Sequence, residues 1–188
     1  MPVWFDEQSY AVVRAALDRL IPAEGEHPGA VAAGVTDYVD GLLGAFTFDP
    51  PRIFAGGPFS GRHGGEPSFA RFTPLTRLQE LAWRTRIEGS NGIAEREFNG
   101  PVVGWQQRYR DGIAALGDDF CEVDGDEQDR RLAAVPGFRH LLYEHACEGA
   151  YGAPEYGGNR DASVWAAIRF PGDVQPRGYT DEEVSGRE

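Results

Sequence analysis

The groups in this chain that could do chemistry are four histidines, two cysteines and thirty acidic residues, and their spacing fits few of the arrangements that chemistry needs. His140 and His145 lie five apart on one helical stretch, whereas convergence on a single helix face requires three or four. His27 and His63 fall in loops. The run His145-Ala146-Cys147-Glu148 lacks the second histidine of an HExxH metal site, and His145 reads as a core histidine. Asp124, Asp126 and Asp129 are similar to the start of a calcium loop but lack its fixed glycine and closing glutamate, and so read as solvated acids. The glycine-rich GGPFSGRHGG, residues 56–65, has no Lys-Ser or Lys-Thr pair to grip a phosphate. Neither a GxSxG nucleophile turn nor a GxGxxG dinucleotide turn occurs. With thirty acids, no single carboxylate pair is informative as acid and base. Cys121 and Cys147 are too few and too far apart for a metal knuckle; in a reducing compartment both are free thiols, and a bridge between them would require export.

The stretch richest in information is GAYGAPEYGGNRDASVWAAIRFPG, residues 149–172. Its aromatic residues Tyr151, Tyr156, Trp165 and Phe170 sit among glycines and prolines with neither helical nor strand periodicity, which is the pattern of a fixed loop. Gly157 and Gly158 permit backbone angles that a Cβ forbids, Asn159 tolerates the left-handed region, and Arg160 offers five donors. Asp161 is placed to cap a short helix from Ala162 to Ile168. Such a loop either docks on something or only ties the C-terminal segment to the domain.

Around it must stand a frame. A chain of 188 residues with 41% apolar and 26% charged residues is sized and composed for one globular domain. A formal charge of −12 argues against nucleic acid and against anionic membrane surfaces, both of which need clustered Lys and Arg. No apolar run reaches the roughly 20 residues that cross a bilayer. The first ten residues carry acids where a secretion leader would carry Lys or Arg, which points to the cytoplasm; the periplasm would require removal of a leader or export alongside a partner.

Helical periodicity predicts an amphipathic helix over 6–21, ended by Pro22, and a second over 29–45, the two packing as a hairpin. Pro74, behind a Thr73 cap, opens a third with Leu75, Leu78, Leu81, Ala82 and Thr85 inward. Pro101 and Val102 lead a fourth to Leu116, whose inner face holds Val103, Trp105 or Gln106, Tyr109, Ile113 and Leu116. A short helix capped by Asp124 or Asp126 runs to Val135. The last long one, 138–149, buries Phe138, Leu141, Leu142, His145 and Ala146. Strand signals are weak, so the expectation is an all-α domain of five to seven helices over 1–172, with a loose tail over 173–188.

Between the second and third helices, residues 49–74 hold four prolines ahead of Pro74 (Pro50, Pro51, Pro58, Pro67) and the aromatic residues Phe54, Phe59, Phe69 and Phe72. A loop of that length is unusual in a compact domain, and its phenylalanines need a surface, either the chain's own core or a partner's. Tyr, Trp, Phe and Arg dominate protein interfaces. The candidate partner-binding residues are therefore Tyr156, Gly157, Gly158, Asn159, Arg160 and Trp165 from one loop and Phe54 and Phe59 from the other.

Two separated stretches carry a resemblance. RLIPAEGEHPGAVAAGVTDYVD (19–40) and YGAPEYGGNRDASVWAAIRFPG (151–172) resemble the two signature blocks of the gluconate 2-dehydrogenase subunit 3 family, in the same order with helices between. The matching positions are Leu20, Ile21, Pro22, Pro28, Gly29, Ala30, Gly34, Val35 and Asp40, then Pro154, Tyr156, Gly157, Gly158, Asn159, Trp165, Pro171 and Gly172. The resemblance implies a non-catalytic small subunit, without cofactor of its own, that accompanies a large FAD-dependent dehydrogenase of the glucose-methanol-choline class and supports its folding, stability or export. Three departures stand out: no twin-arginine leader is seen, residues 49–74 look like an insertion, and Val164 occupies a position where glycine is usual. Two other readings stay open beside it: a free-standing enzyme using acids of the 118–129 region on small polar substrates, and a helical protein that associates with its own copy.

Overall fold

A computed structural model describes residues 2–56 and 73–172. Among them the chain forms eight α-helices: α1 (Glu7–Leu20), α2 (Gly29–Ala32), α3 (Val35–Leu43), α4 (Arg77–Glu88), α5 (Trp105–Leu116), α6 (Gly125–Ala134), α7 (Pro136–Tyr151) and α8 (Ser163–Ala167). One small antiparallel pair, β1 (Phe54–Gly56) with β2 (Thr73–Pro74), joins the two ends of the glycine-rich loop. The fold is all-α. The extra helix beyond the expected seven arises at Gly34, where φ of 78° splits the predicted 29–45 helix into α2 and α3.

The frame follows from periodicity. Asp6 caps α1 by accepting from the Ser9 amide at 2.6 Å, and Val12, Val13, Ala16 and Leu17 recur at the spacing that puts them all inside. α7 is the central element. Its Phe138, Leu141, Leu142, His145 and Ala146 are buried as the periodicity requires, and they pack with residues of α1, α3, α5, α6 and α8 into one apolar core. Each of these aliphatic side chains contributes about 1.5–3 kcal/mol by leaving water. A smaller cluster of Ala45, Ile53 and Ile87, flanked by Leu42, Trp83 and Trp105, holds α4 to the body. Asp124 caps α6 through the Glu127 amide, as its position suggests.

Three expectations about the helices fail locally. α4 opens at Arg77 rather than Pro74, because Thr76 and Gln79 form a reciprocal capping box and Pro74 lies in β2. Its face is also misassigned: Leu78 is 75% exposed and Ile87 is the residue it buries, since α4 touches the body only near its C-terminal end. α5 begins at Trp105, preceded by extended residues whose Val103 faces solvent. The Ser90 amide donates to the Val102 carbonyl, and the Val102 amide to the Ser90 hydroxyl, which holds this stretch out of the helix. The proposed tail, 173–188, lies outside the described residues.

Candidate functional site

The two signature stretches, far apart in sequence, meet face to face. α7 ends at Tyr151, and the chain turns through Pro154–Tyr156 to Gly157, whose φ is 101°. Gly158 then lies directly on α7: a Cβ there would come within 2.1 Å of the Gly149 carbonyl oxygen. Asn159 follows in the left-handed region (φ 43°) and is fully buried. Its Nδ2 donates to the Gly152 carbonyl and its Oδ1 accepts from the Val164 amide, both at 3.0 Å. One side chain thus closes the turn and supplies the acceptor for the first turn of α8. That role was expected of Asp161, which instead sits at φ 56° inside a helical turn beside Ala162 at 54°. Consecutive left-handed residues with a Cβ are costly, about 1–2 kcal/mol each, and persist because their surroundings over-determine them.

Arg160 reaches the first stretch. Its amide donates to the Ala33 carbonyl at 2.9 Å, and its Nη2 donates to Asp37 Oδ2 at 2.8 Å. The other Asp37 oxygen accepts from the Tyr10 hydroxyl at 2.5 Å, so α1, α3 and the turn converge on one carboxylate. Burial, with the neighbouring Asp37 charge and hydrogen bond, pushes the Tyr10 hydroxyl up to about 12. Gly34, whose φ of 78° breaks the helix, also leaves room here, since the Arg160 guanidinium lies 3.1 Å from where a Cβ would stand. Trp165 faces inward at 7% exposure, its Nε1 donating to the Tyr151 carbonyl at 2.7 Å and its ring edge-on to Phe170 at 5.0 Å.

The expected partner-binding residues therefore divide. Gly158, Asn159 and Trp165 are buried and face into the domain. Tyr156, 52% exposed, with Gly157 and Arg160 faces solvent, and Tyr151, Ile168 and Phe170 extend the exposed apolar surface. Phe59 and the side chain of Phe54 lie outside the described residues. Tyr156 and Gly157 form one rim of a hollow of about 500 Å³. Its other walls are Asp37, Tyr38, Gly41 and Leu42 from α3, Arg52 and Ile53, and Trp83 from α4. Trp83 escaped sequence reasoning because only packing brings α4 beside the turn, and Gly41 because a helical glycine carries no chemical signal; Asp37 and Tyr38, inside the first signature stretch, carried the one available signal.

Several other groups capable of chemistry are engaged in structure. His145 is buried, with Nδ1 and the Tyr109 hydroxyl sharing a hydrogen bond at 3.0 Å and Trp105 edge-on at 4.5 Å. Burial, helped by Arg108, pulls the imidazole down to about 4. In the acidic stretch, Arg131 bonds Asp119 and Glu127, and Arg19 takes Asp129 bidentately. Those arginine contacts hold the Asp119 and Asp129 carboxyls below their usual range. Both cysteines are free. Among the described residues no three His, Cys, Asp or Glu side chains are grouped to hold a metal ion, and no helix is long and apolar enough to cross a membrane.

Fold and site together define an irregular helical domain organised around a junction of two signature segments, with an aromatic rim left facing outward. A family model described as gluconate 2-dehydrogenase subunit 3 matches residues 7–172. The chain belongs to that family, and so to the subunits of a dehydrogenase. Comparison with curated proteins and with solved structures gave no significant match.

Proposed function

We propose that this chain is a non-catalytic small subunit that binds a large FAD-dependent sugar or alcohol dehydrogenase and stabilises it or assists its maturation. The observation that carries the reading is the family match spanning 166 of 188 residues, from 7 to 172. A second supports it: the costly left-handed turn is held by the Asn159 side chain, the Arg160 amide and the Trp165 indole, yet leaves Tyr156 and Arg160 facing solvent. Strain held by an over-determined frame is common where a surface must be presented in one geometry. In this reading FAD belongs to the partner. The contact is made by Tyr156, Gly157 and Arg160, and Asn159, Gly158 and Trp165 hold them in place.

Co-expression with a large FAD-dependent dehydrogenase of that class should yield a yellow complex that copurifies. Tyr156→Ala, which removes a half-exposed ring, should weaken that complex while leaving the isolated chain's melting temperature within about 2 °C, the expected range for a surface change of ±0.5 kcal/mol. Failure to copurify with any such flavoprotein, or turnover by the purified chain alone, sinks the proposal.

A further inference from the structure

Asp40 lies in the first signature stretch but takes no part in the junction with the second. It is 4% exposed, on the buried side of α3. Its carboxylate accepts the backbone amides of three successive residues: Val3 at 2.5 Å and Trp4 at 2.9 Å, on Oδ2 and Oδ1 respectively, and Phe5 at 2.9 Å, again on Oδ1. Successive amides aimed at one anion form a nest, and here the anion is internal. Among the described residues no backbone-to-backbone bond ties residues 2–5 to the body. α1, moreover, has its own cap in Asp6 and does not depend on what precedes it.

The side chains of the segment lie on α3 and α5. Phe5 is buried against Tyr109, with ring centroids 5.9 Å apart, and edge-on to Trp4 at 4.9 Å. The Arg110 guanidinium stands over the Trp4 ring at 5.1 Å. Val3 occupies the space above Gly44, where a Cβ would come within 2.7 Å of its Cγ1.

We propose that residues 2–5 are a strap that opens and closes on the body as one unit, with Asp40 as its clip. The physical reason is that all three amides end on a single side chain. Loosening that carboxylate releases them together, and among the described residues no second backbone anchor keeps part of the segment in place. Opening uncovers the Phe5 seat beside Tyr109 and returns the Asp40 charge to water, so the strap is required for Asp40 to stay buried. Closure in turn requires α3 and α5 to be packed, since its side chains rest on both.

Hydrogen exchange in the full chain tests this. In the unaltered protein the amides of Val3, Trp4 and Phe5 should share one protection factor, at least tenfold below that of Leu141 and Leu142 in α7. Asp40→Asn, which removes the charge but keeps the size, should lower protection at all three strap amides at least a further tenfold with the α7 amides unchanged. Gly44→Ala, which pushes on Val3 while leaving the carboxylate intact, should reproduce the selective loss. Protection that differs among the three amides, that equals that of α7 in the unaltered chain, or that falls uniformly over the whole molecule in both variants would overturn the strap. These readouts need no partner, so they are independent of the subunit assignment.

Discussion

Gly158→Ala adds one methyl group to an exposed-looking loop and should be among the most damaging single changes in the chain. The Cβ would lie 2.1 Å from the Gly149 oxygen, 2.7 Å from its carbonyl carbon and 2.8 Å from its Cα, all backbone atoms of a helix that cannot shift without disturbing the core. Relief must come from the turn lifting away. Lifting breaks both bonds of the Asn159 amide, the bond from the Arg160 amide to Ala33 and that from the Trp165 indole to Tyr151. At about 1 kcal/mol for each such bond, with partial retention, the expected loss is about 3 kcal/mol, or roughly 6–12 °C in melting temperature for a domain of this size. Gly157→Ala is the control. It meets open space and suffers only from its φ of 101°, at about 1–2 kcal/mol. Urea unfolding followed by tryptophan fluorescence measures both. A double-mutant cycle decides the mechanism: Asn159→Ala should cost about 2 kcal/mol alone, for two lost bonds, and far less once Gly158→Ala has detached the turn. Strictly additive costs, or a Gly158→Ala penalty below that of Gly157→Ala, would refute the steric argument.

Acid should weaken the fold through His145. Its folded pKa of about 4 lies below the ordinary 6.5, so the folded state binds fewer protons there. Its contribution is fully present above pH 6.5 and is lost as pH falls towards 4, about 3 kcal/mol in all by linkage. Thermal melts across that window should flatten in the Tyr109→Phe/His145→Phe double variant, which removes both polar partners together. Tyr109→Phe alone should cost about 1–3 kcal/mol by leaving a buried ring nitrogen unpaired. An unchanged pH slope in the double variant would contradict the assignment. The carboxyls of Asp6, Asp119 and Asp129, held low, act only below their ordinary 3.8 and so fall outside the window. Gly41→Ala, in the interior of α3 with open space around it, should raise stability by about 0.5–1 kcal/mol, readable as a small upward shift of the melting curve; a loss there would mean that the hollow beside it is tighter than its walls indicate.

Periodicity alone determined the helical frame, and for a physical reason. Val12, Val13, Ala16 and Leu17 of α1, and Phe138, Leu141, Leu142, His145 and Ala146 of α7, are compelled inward by their spacing whatever they pack against. Local capping chemistry was equally legible at Asp124. The glycines and Asn159 announced an irregular turn, and the two signature stretches announced the family. Only the tertiary structure decided what those residues do. Gly34 breaks a helix at a positive φ, and its missing Cβ leaves room for Arg160, 126 positions later. Asn159 rather than Asp161 closes the turn because the Gly152 carbonyl and Val164 amide stand on either side of it. Asp40 is buried because the chain's own N-terminal amides surround it. Apolar periodicity and backbone propensity are local properties that a sequence writes out in order. Partners supplied by distant segments come into being only when the helices pack; Gly34 and Asp40 have such partners, and Asn159 finds its own when the turn folds back on the end of α7.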